Sequence, residues 1–205
     1  MINDLENKIS AFRDTFSCEA KNAINNKEFI MNYCLKNRAW KDTVIREKFI
    51  KESEVIKNKD NIIAILKNEL VNNTTVICDD FDKWHDSLCS NNSYGMKYGL
   101  WQKFINMTFK NLFCVKTMFC EFDSIWDKCH CPIDTIISKS IYEQLKEMGV
   151  EKSELELSYK ISQSDKEINW NNISQENYKK LQKQIGLICE DSITPLQFDF
   201  LFWEN

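Results

Sequence analysis

Apolar residues recur every three or four positions along most of this chain. Ile2, Leu5, Ile9, Phe12 and Phe16 form one such stripe, the spacing that places side chains on a single helix face. Asn25-Asn26 breaks it. The same periodicity predicts helices over 27–37 and 41–57, carrying Phe29, Ile30, Tyr33, Val44, Ile45, Phe49, Ile50 and Ile56. A further helix is expected from Asp60 as its cap through Leu70. Asn72-Asn73-Thr74-Thr75 reads as a loop. Asp79-Asp80 opens a helix with Phe81, Trp84 and Leu88 inside, and Ser90-Asn91-Asn92-Ser93 reads as a second loop.

The stretch from Tyr94 to Gly149 organises the rest. One helix is expected just after Gly99, with Lys103 a turn inside it, ending at Phe113 or Cys114. A second is announced by Pro132 and by Asp134, the residue type that caps helix starts, and it closes at Gly149, suited to the left-handed residue after a helix. Between them lies an acidic and aromatic connection of about fifteen residues with Glu121, Phe122, Asp123, Trp126 and Asp127. Beyond Gly149, the alternation Leu155, Leu157, Tyr159, Ile161 reads as a short strand or an extended connection. A helix is expected over 175–187. A last helix has Pro195 at its first position and is apolar enough to dock on the core.

With only 4 Gly and 2 Pro, the chain lacks the tight turns of a sandwich or barrel. The expected fold is all-α. At 205 residues, 43% apolar and 12% aromatic, one domain with a real core is the simplest organisation. Mean hydropathy is -0.46 and no apolar run approaches the ~18 residues of a membrane span. The opening MINDLENKISAFRD is charged and amphipathic rather than a signal peptide. Nine cysteines at irregular spacing suit reduced thiols in a cytoplasmic protein. Net charge is -4, yet from Asn91 to Cys120 there is no Asp or Glu, while Lys97, Lys103, Lys110 and Lys116 fall inside. Such a window is expected to form a face that meets phosphate.

Gly99-Leu100-Trp101-Gln102-Lys103, followed by Pro132-Ile133-Asp134-Thr135, resembles the helix-hairpin-helix DNA glycosylase superfamily. Members carry a Gly-rich hairpin, a lysine on the following helix, and a later aspartate at a helix start. The longer interval between lysine and aspartate looks closer to the archaeal 8-oxoguanine glycosylase branch than to endonuclease III-like enzymes. The resemblance covers roughly 91–148. It implies a helix-hairpin-helix-like lobe at about 65–148, with 1–64 and 149–205 forming the second wall of a cleft. Two departures stand out. Trp101 occupies the place of the second hairpin glycine, where Lys97 would supply charge instead. The four-cysteine iron–sulfur loop is absent, since the C-terminal part holds only Cys189, so no cluster, metal or other cofactor is expected.

What the resemblance implies is excision of a damaged or modified base extruded from double-stranded DNA. Lys103 would attack the sugar and pass through a Schiff base, which requires a neutral amine of the kind a desolvated site favours. Asp134 would stabilise the developing oxocarbenium charge. Gly99, Lys97, Lys110 and Lys116 would contact DNA, and Trp126, His130 and Trp203 would line the base pocket. Repair and defence against foreign DNA are both compatible, and a monomer is expected. The structural alternatives are an ordinary solvated lysine and an ordinary helix cap.

Cys129-His130-Cys131 lacks Cys-x-x-Cys spacing, and adjacent residues cannot supply three tetrahedral zinc ligands. His85 in Trp84-His85-Asp86 has no nucleophile signature beside it, and the four glycines form no phosphate-binding fingerprint. The reading from a different class is a non-catalytic helical interaction protein, a regulatory or host–virus binding factor, favoured by net acidity and aromatic content.

Overall fold

A computed structural model describes residues 2–23, 25–45, 54–164, 168–190 and 192–203, excepting the side chains of residues 2, 3, 18 and 45. All regular structure among the described residues is helical, as the scarcity of Gly and Pro predicted. The α-helices are α1 (Ile2–Asp14), α2 (Cys18–Asn22), α3 (Lys27–Tyr33), α4 (Glu54–Lys57), α5 (Lys59–Asn72), α6 (Thr74–Asp79), α7 (Phe81–Cys89), α8 (Tyr98–Phe113), α9 (Thr135–Glu147), α10 (Lys152–Ser162), α11 (Gln175–Cys189) and α12 (Pro195–Phe202). α3 runs on into π-helical turns at Cys34–Ala39 and Lys41–Ile45. The expected Phe49 and Ile50 positions lie outside the described residues.

α8 is the axis of the molecule. Every residue from Gly99 to Phe113 is buried, the condition of a helix enclosed on all sides. It packs against α7, the π-helical turns and a short 3-10 turn at Trp170–Asn172. The helix nevertheless carries six buried polar side chains: Gln102, Lys103, Asn106, Thr108, Lys110 and Asn111. Each has a partner, as burial of a polar group demands. Thr108 Oγ1 donates to the Phe104 carbonyl (2.8 Å) and Asn111 Nδ2 to that of Met107 (2.6 Å), while Asn111 Oδ1 accepts from Arg38 Nε (3.2 Å). The buried apolar residues form one cluster reaching from Leu5 to Phe200. α12 closes it through Leu196, Phe198 and Phe200, all at most 1% exposed.

Local signals set several boundaries. Asp80 caps α7 by accepting from the Lys83 amide (3.0 Å). Thr194 and Gln197 form a reciprocal capping box around Pro195 at the start of α12. Gly149 follows α9 with φ +75°, a conformation that favours glycine. Three expectations are corrected. The loop expected over 72–75 shrinks to Asn73, because α6 begins at Thr74. Asp60 lies in the first turn of α5, behind Asn58. The alternating segment after Gly149 is α10, whose inner face is Leu155, Ser158 and Ile161. A buried serine there hid the helical period.

Candidate functional site

The loop before α8 is fixed by Trp101, whose indole Nε1 donates to the Asn91 carbonyl (2.6 Å). That anchorage sets the first turns of α8 and with them Lys103. After α8, the chain passes through short turns and then, without regular structure, reaches Asp134, which caps α9 by accepting from the Ile137 amide at Oδ1 (2.9 Å). The other carboxylate oxygen, Oδ2, stands 3.2 Å from Lys103 Nζ. One carboxylate thus does two jobs, helix cap and counter-ion.

The side chains of Lys103 and Asp134 are 10% and 24% exposed. Over the ammonium lies the indole of Trp170, 4.3 Å from Nζ to the ring centroid, an arrangement attractive for a cation on an aromatic face. Gly99 makes this possible. A Cβ added there would lie 2.2 Å from the Trp170 carbonyl oxygen and 2.7 Å from the Asn171 carbonyl carbon, far inside contact distance. Gly99 is therefore the groove in α8 that admits the turn carrying Trp170. This corrects its expected role: it is buried beneath Trp170–Asn171 and presents no open hairpin to a DNA phosphate.

The phosphate face expected from the acid-free window is also redistributed. Lys97, at the N-cap of α8, and Lys116, beyond its C-terminus, are exposed. They stand at opposite ends of a helix of about 24 Å, at 1.5 Å per residue, and so form no common patch. Lys110 is 1% exposed and ion-paired with Asp199 of α12, its Nζ ringed by Phe12 (4.4 Å), Phe200 (4.8 Å) and Trp203 (5.8 Å). It cannot touch DNA in this arrangement. The window lacks acids because α8 is interior and draws Asp134 and Asp199 from other elements to its lysines.

The three residues expected to line a base pocket lie in separate neighbourhoods. Trp203 packs edge-on against Phe12 (4.9 Å). Trp126 packs on Phe109, Phe113 and Phe122, donates to Asp123 Oδ1 (3.1 Å), and borders with Lys116 an open cavity of about 690 Å³. His130 lies on a cavity of about 490 Å³ with Asp82, Lys128 and Gln182. The aromatic ring that does meet Lys103 is Trp170.

His130 belongs to a buried hydrogen-bond chain that can be oriented from its fixed members. Asn106 Nδ2 donates to the Cys131 carbonyl (3.3 Å) and to Tyr178 Oη (2.8 Å), so Asn106 Oδ1 must accept from His85 Nε2 (3.1 Å). With His85 Nε2 carrying a hydrogen, the Tyr178 hydroxyl donates to His130 Nδ1 (2.9 Å), and His130 Nε2 donates to Asp82 Oδ1 (2.8 Å). Burial holds His85 well below its ordinary range, with the charge of His130 acting the same way. The bond from His130 holds the Asp82 carboxyl below the usual value. Burial raises the Tyr178 hydroxyl. The chain is a satisfied hydrogen-bond network, running from buried His85 to the exposed Asp82 carboxylate, that anchors α7, α8 and α11 to the segment before Asp134.

Cys129 and Cys131 are fully buried, and burial pushes both thiols well up. Among the described residues no group of three or more His, Cys, Asp or Glu is placed to hold a metal ion. No described helix is long and apolar enough to cross a membrane. Comparisons with protein-family models, curated proteins and solved structures find no match to this chain. None of these comparisons supports the resemblance to helix-hairpin-helix glycosylases.

Proposed function

We propose that this protein is a DNA glycosylase with lyase activity, acting on a base extruded from double-stranded DNA. The observation that carries the proposal is the 3.2 Å approach of Lys103 Nζ to Asp134 Oδ2, from the early turns of two separate helices. A lysine–carboxylate pair whose aspartate is partly exposed, beside an aromatic ring, has the parts such chemistry needs. Asp134 would accept the ammonium proton, and the freed amine would attack C1′ of the extruded nucleotide. The glycosidic electron pair would leave with the base, which takes up the proton held by Asp134, and the restored carboxylate would balance the positive charge left on the sugar and its bound amine. Opening of the sugar ring would leave Lys103 joined to C1′ as a Schiff base.

Borohydride trapping tests this on duplex oligonucleotides carrying an abasic site, 8-oxoguanine or a hypermodified pyrimidine. The expected result is a covalent adduct with the wild type and none with Lys103→Gln. Base loss without an adduct, dependent on Asp134, would define a glycosylase that lacks lyase activity. A second reading is favoured by one feature: Lys103 is only 10% exposed and satisfied on two sides by Asp134 and Trp170. That is also how a structural tie looks, in a non-catalytic helical binding protein of net charge -4. Neither adduct nor base loss, with no salt-dependent binding to duplex DNA, would establish that second reading.

A further inference from the structure

Asp134 is preceded by a segment without regular structure, 131–133, that lies between α8 and α11. Buried backbone outside regular structure must find partners for its N–H and C=O groups elsewhere or leave them unsatisfied. Here two glutamine amides take the place of a strand. Gln102 Oε1 accepts from the Ile133 amide (3.1 Å) and Gln102 Nε2 donates to the Ile133 carbonyl (3.0 Å). Gln182 repeats the pattern two residues earlier: its Oε1 accepts from the Cys131 amide (3.2 Å) and its Nε2 donates to the Cys131 carbonyl (2.7 Å). The residue between them is Pro132, which has no N–H to satisfy. Ile133, Cys131 and Gln102 are all fully buried.

A side-chain amide that bonds both backbone groups of one residue fixes that residue in position and in rotation. Gln102 and Lys103 are neighbours on α8, and the backbone and side chain they hold belong to neighbours in turn: Gln102 grips Ile133, Lys103 meets Asp134. We infer that Gln102 is the positioning residue that sets Asp134 against Lys103, with Gln182 as the second clamp at Cys131. This inference rests on the glycosylase reading for its catalytic meaning, although the positional claim stands on geometry alone. Loss of the Gln102 amide releases the peptide just before the cap, and Asp134 then follows α9 rather than α8.

Two measurements on Gln102→Met and Gln182→Met decide it. The first needs no activity: a double-mutant cycle on unfolding, with Lys103→Met, Asp134→Asn and both together, in the wild-type and glutamine-variant backgrounds. The expected result is a favourable Lys103–Asp134 coupling in the parent that is lost with Gln102→Met and weakened with Gln182→Met. Coupling retained in both variants would overturn the inference, whatever the protein does to DNA. The second measurement is the single-turnover rate of adduct formation. A misplacement near 1 Å predicts a fall of about 100-fold in Gln102→Met, with duplex affinity unchanged. An unaltered rate, or a fall matched by lost affinity, would count against positioning. Absence of any adduct in the wild type would sink the glycosylase reading and leave the coupling cycle to judge the clamp. If Gln102→Met does not fold, Gln182→Met, at a partly buried position, carries both measurements, and unchanged coupling there overturns the inference.

Discussion

Two lysine–aspartate pairs sit on one side of α8, about two turns apart, and they teach opposite lessons. Lys103 meets Asp134, the cap of α9, with side chains 10% and 24% exposed and one aromatic ring alongside. Lys110 meets Asp199, inside α12, with side chains 1% and 9% exposed and three rings around the ammonium. The residue types are the same. What differs is the element that brings the acid and the access of water. A capping aspartate keeps one oxygen at a helix end near the surface, whereas an aspartate in the interior of a docked helix is sealed. Burial pushes the Asp199 carboxyl up while Lys110 pulls it down. The inner pair is a latch holding the C-terminal helix; of the two, the outer pair retains the greater access to water.

The largest effect is expected at the latch. Lys110→Met leaves Asp199 buried without its counter-ion, which costs about 3–5 kcal/mol. The joint change Lys110→Met with Asp199→Leu should recover most of that loss, because two apolar groups replace two desolvated charges. Urea unfolding of the three proteins measures this directly. A single variant as stable as the parent would show that the pair is not the closed latch described.

Next comes Gly99→Ala, which tests whether the outer pair can be stripped of its ring. The added methyl would overlap the Trp170 carbonyl, so the 170–172 turn must shift, at about 1–3 kcal/mol as for other overpacked sites. The Lys110 latch, on the far turns of α8, should be untouched. Crystallography or solvent quenching of Trp170, in a background where the other tryptophans are replaced, would report the displacement. Wild-type stability with Trp170 in place would contradict the close packing.

Acid separates both pairs from the histidine network beside them. Burial holds His85 well below its ordinary 6.5, so at pH values between the two the unfolded chain binds a proton that the folded chain refuses. The contribution of His85 is therefore complete above 6.5 and is lost as the pH falls, by about 1.4 kcal/mol per unit at its steepest. Comparing unfolding free energies of the wild type and His85→Gln across pH 5 to 7.5 isolates that slope. Equal slopes in the two proteins would mean that His85 titrates normally.

These contrasts also mark what the sequence made legible. Asp134 and Gly149 delimit α9 because caps and left-handed glycines are decided within a few residues. Pro195 fixes α12 for the same reason. The approach of Lys103 to Asp134 was anticipated through a resemblance, on residues near two helix starts. The fate of Lys110 was not legible, since a lysine is rarely fully buried and its partner Asp199 lies in another helix. Trp126 and Trp203 are the rings expected at the base pocket, yet which of six tryptophans reaches Lys103 depends on the Gly99 groove, a contact between distant segments. The helix α10 was hidden because Ser158, a polar residue, fills a core position between Leu155 and Ile161.

The smallest change in stability is expected at the outer pair, and it is the most telling. Asp134→Asn keeps the Ile137 cap, because Asn is as good an N-cap as Asp, and removes only the charge opposite Lys103. Lys103→Met keeps the aliphatic stem under Trp170 and removes only the ammonium. Each should cost about 1 kcal/mol, the upper range for a pair with access to water, against the several expected at Lys110. Under the proposed function the same two substitutions abolish adduct formation or base release altogether. A site whose removal hardly alters folding but ends the reaction is one kept for chemistry. If instead Lys103→Met destabilises as severely as Lys110→Met and the wild type forms no adduct, the two pairs are two latches, and α8 is the spine of a binding protein.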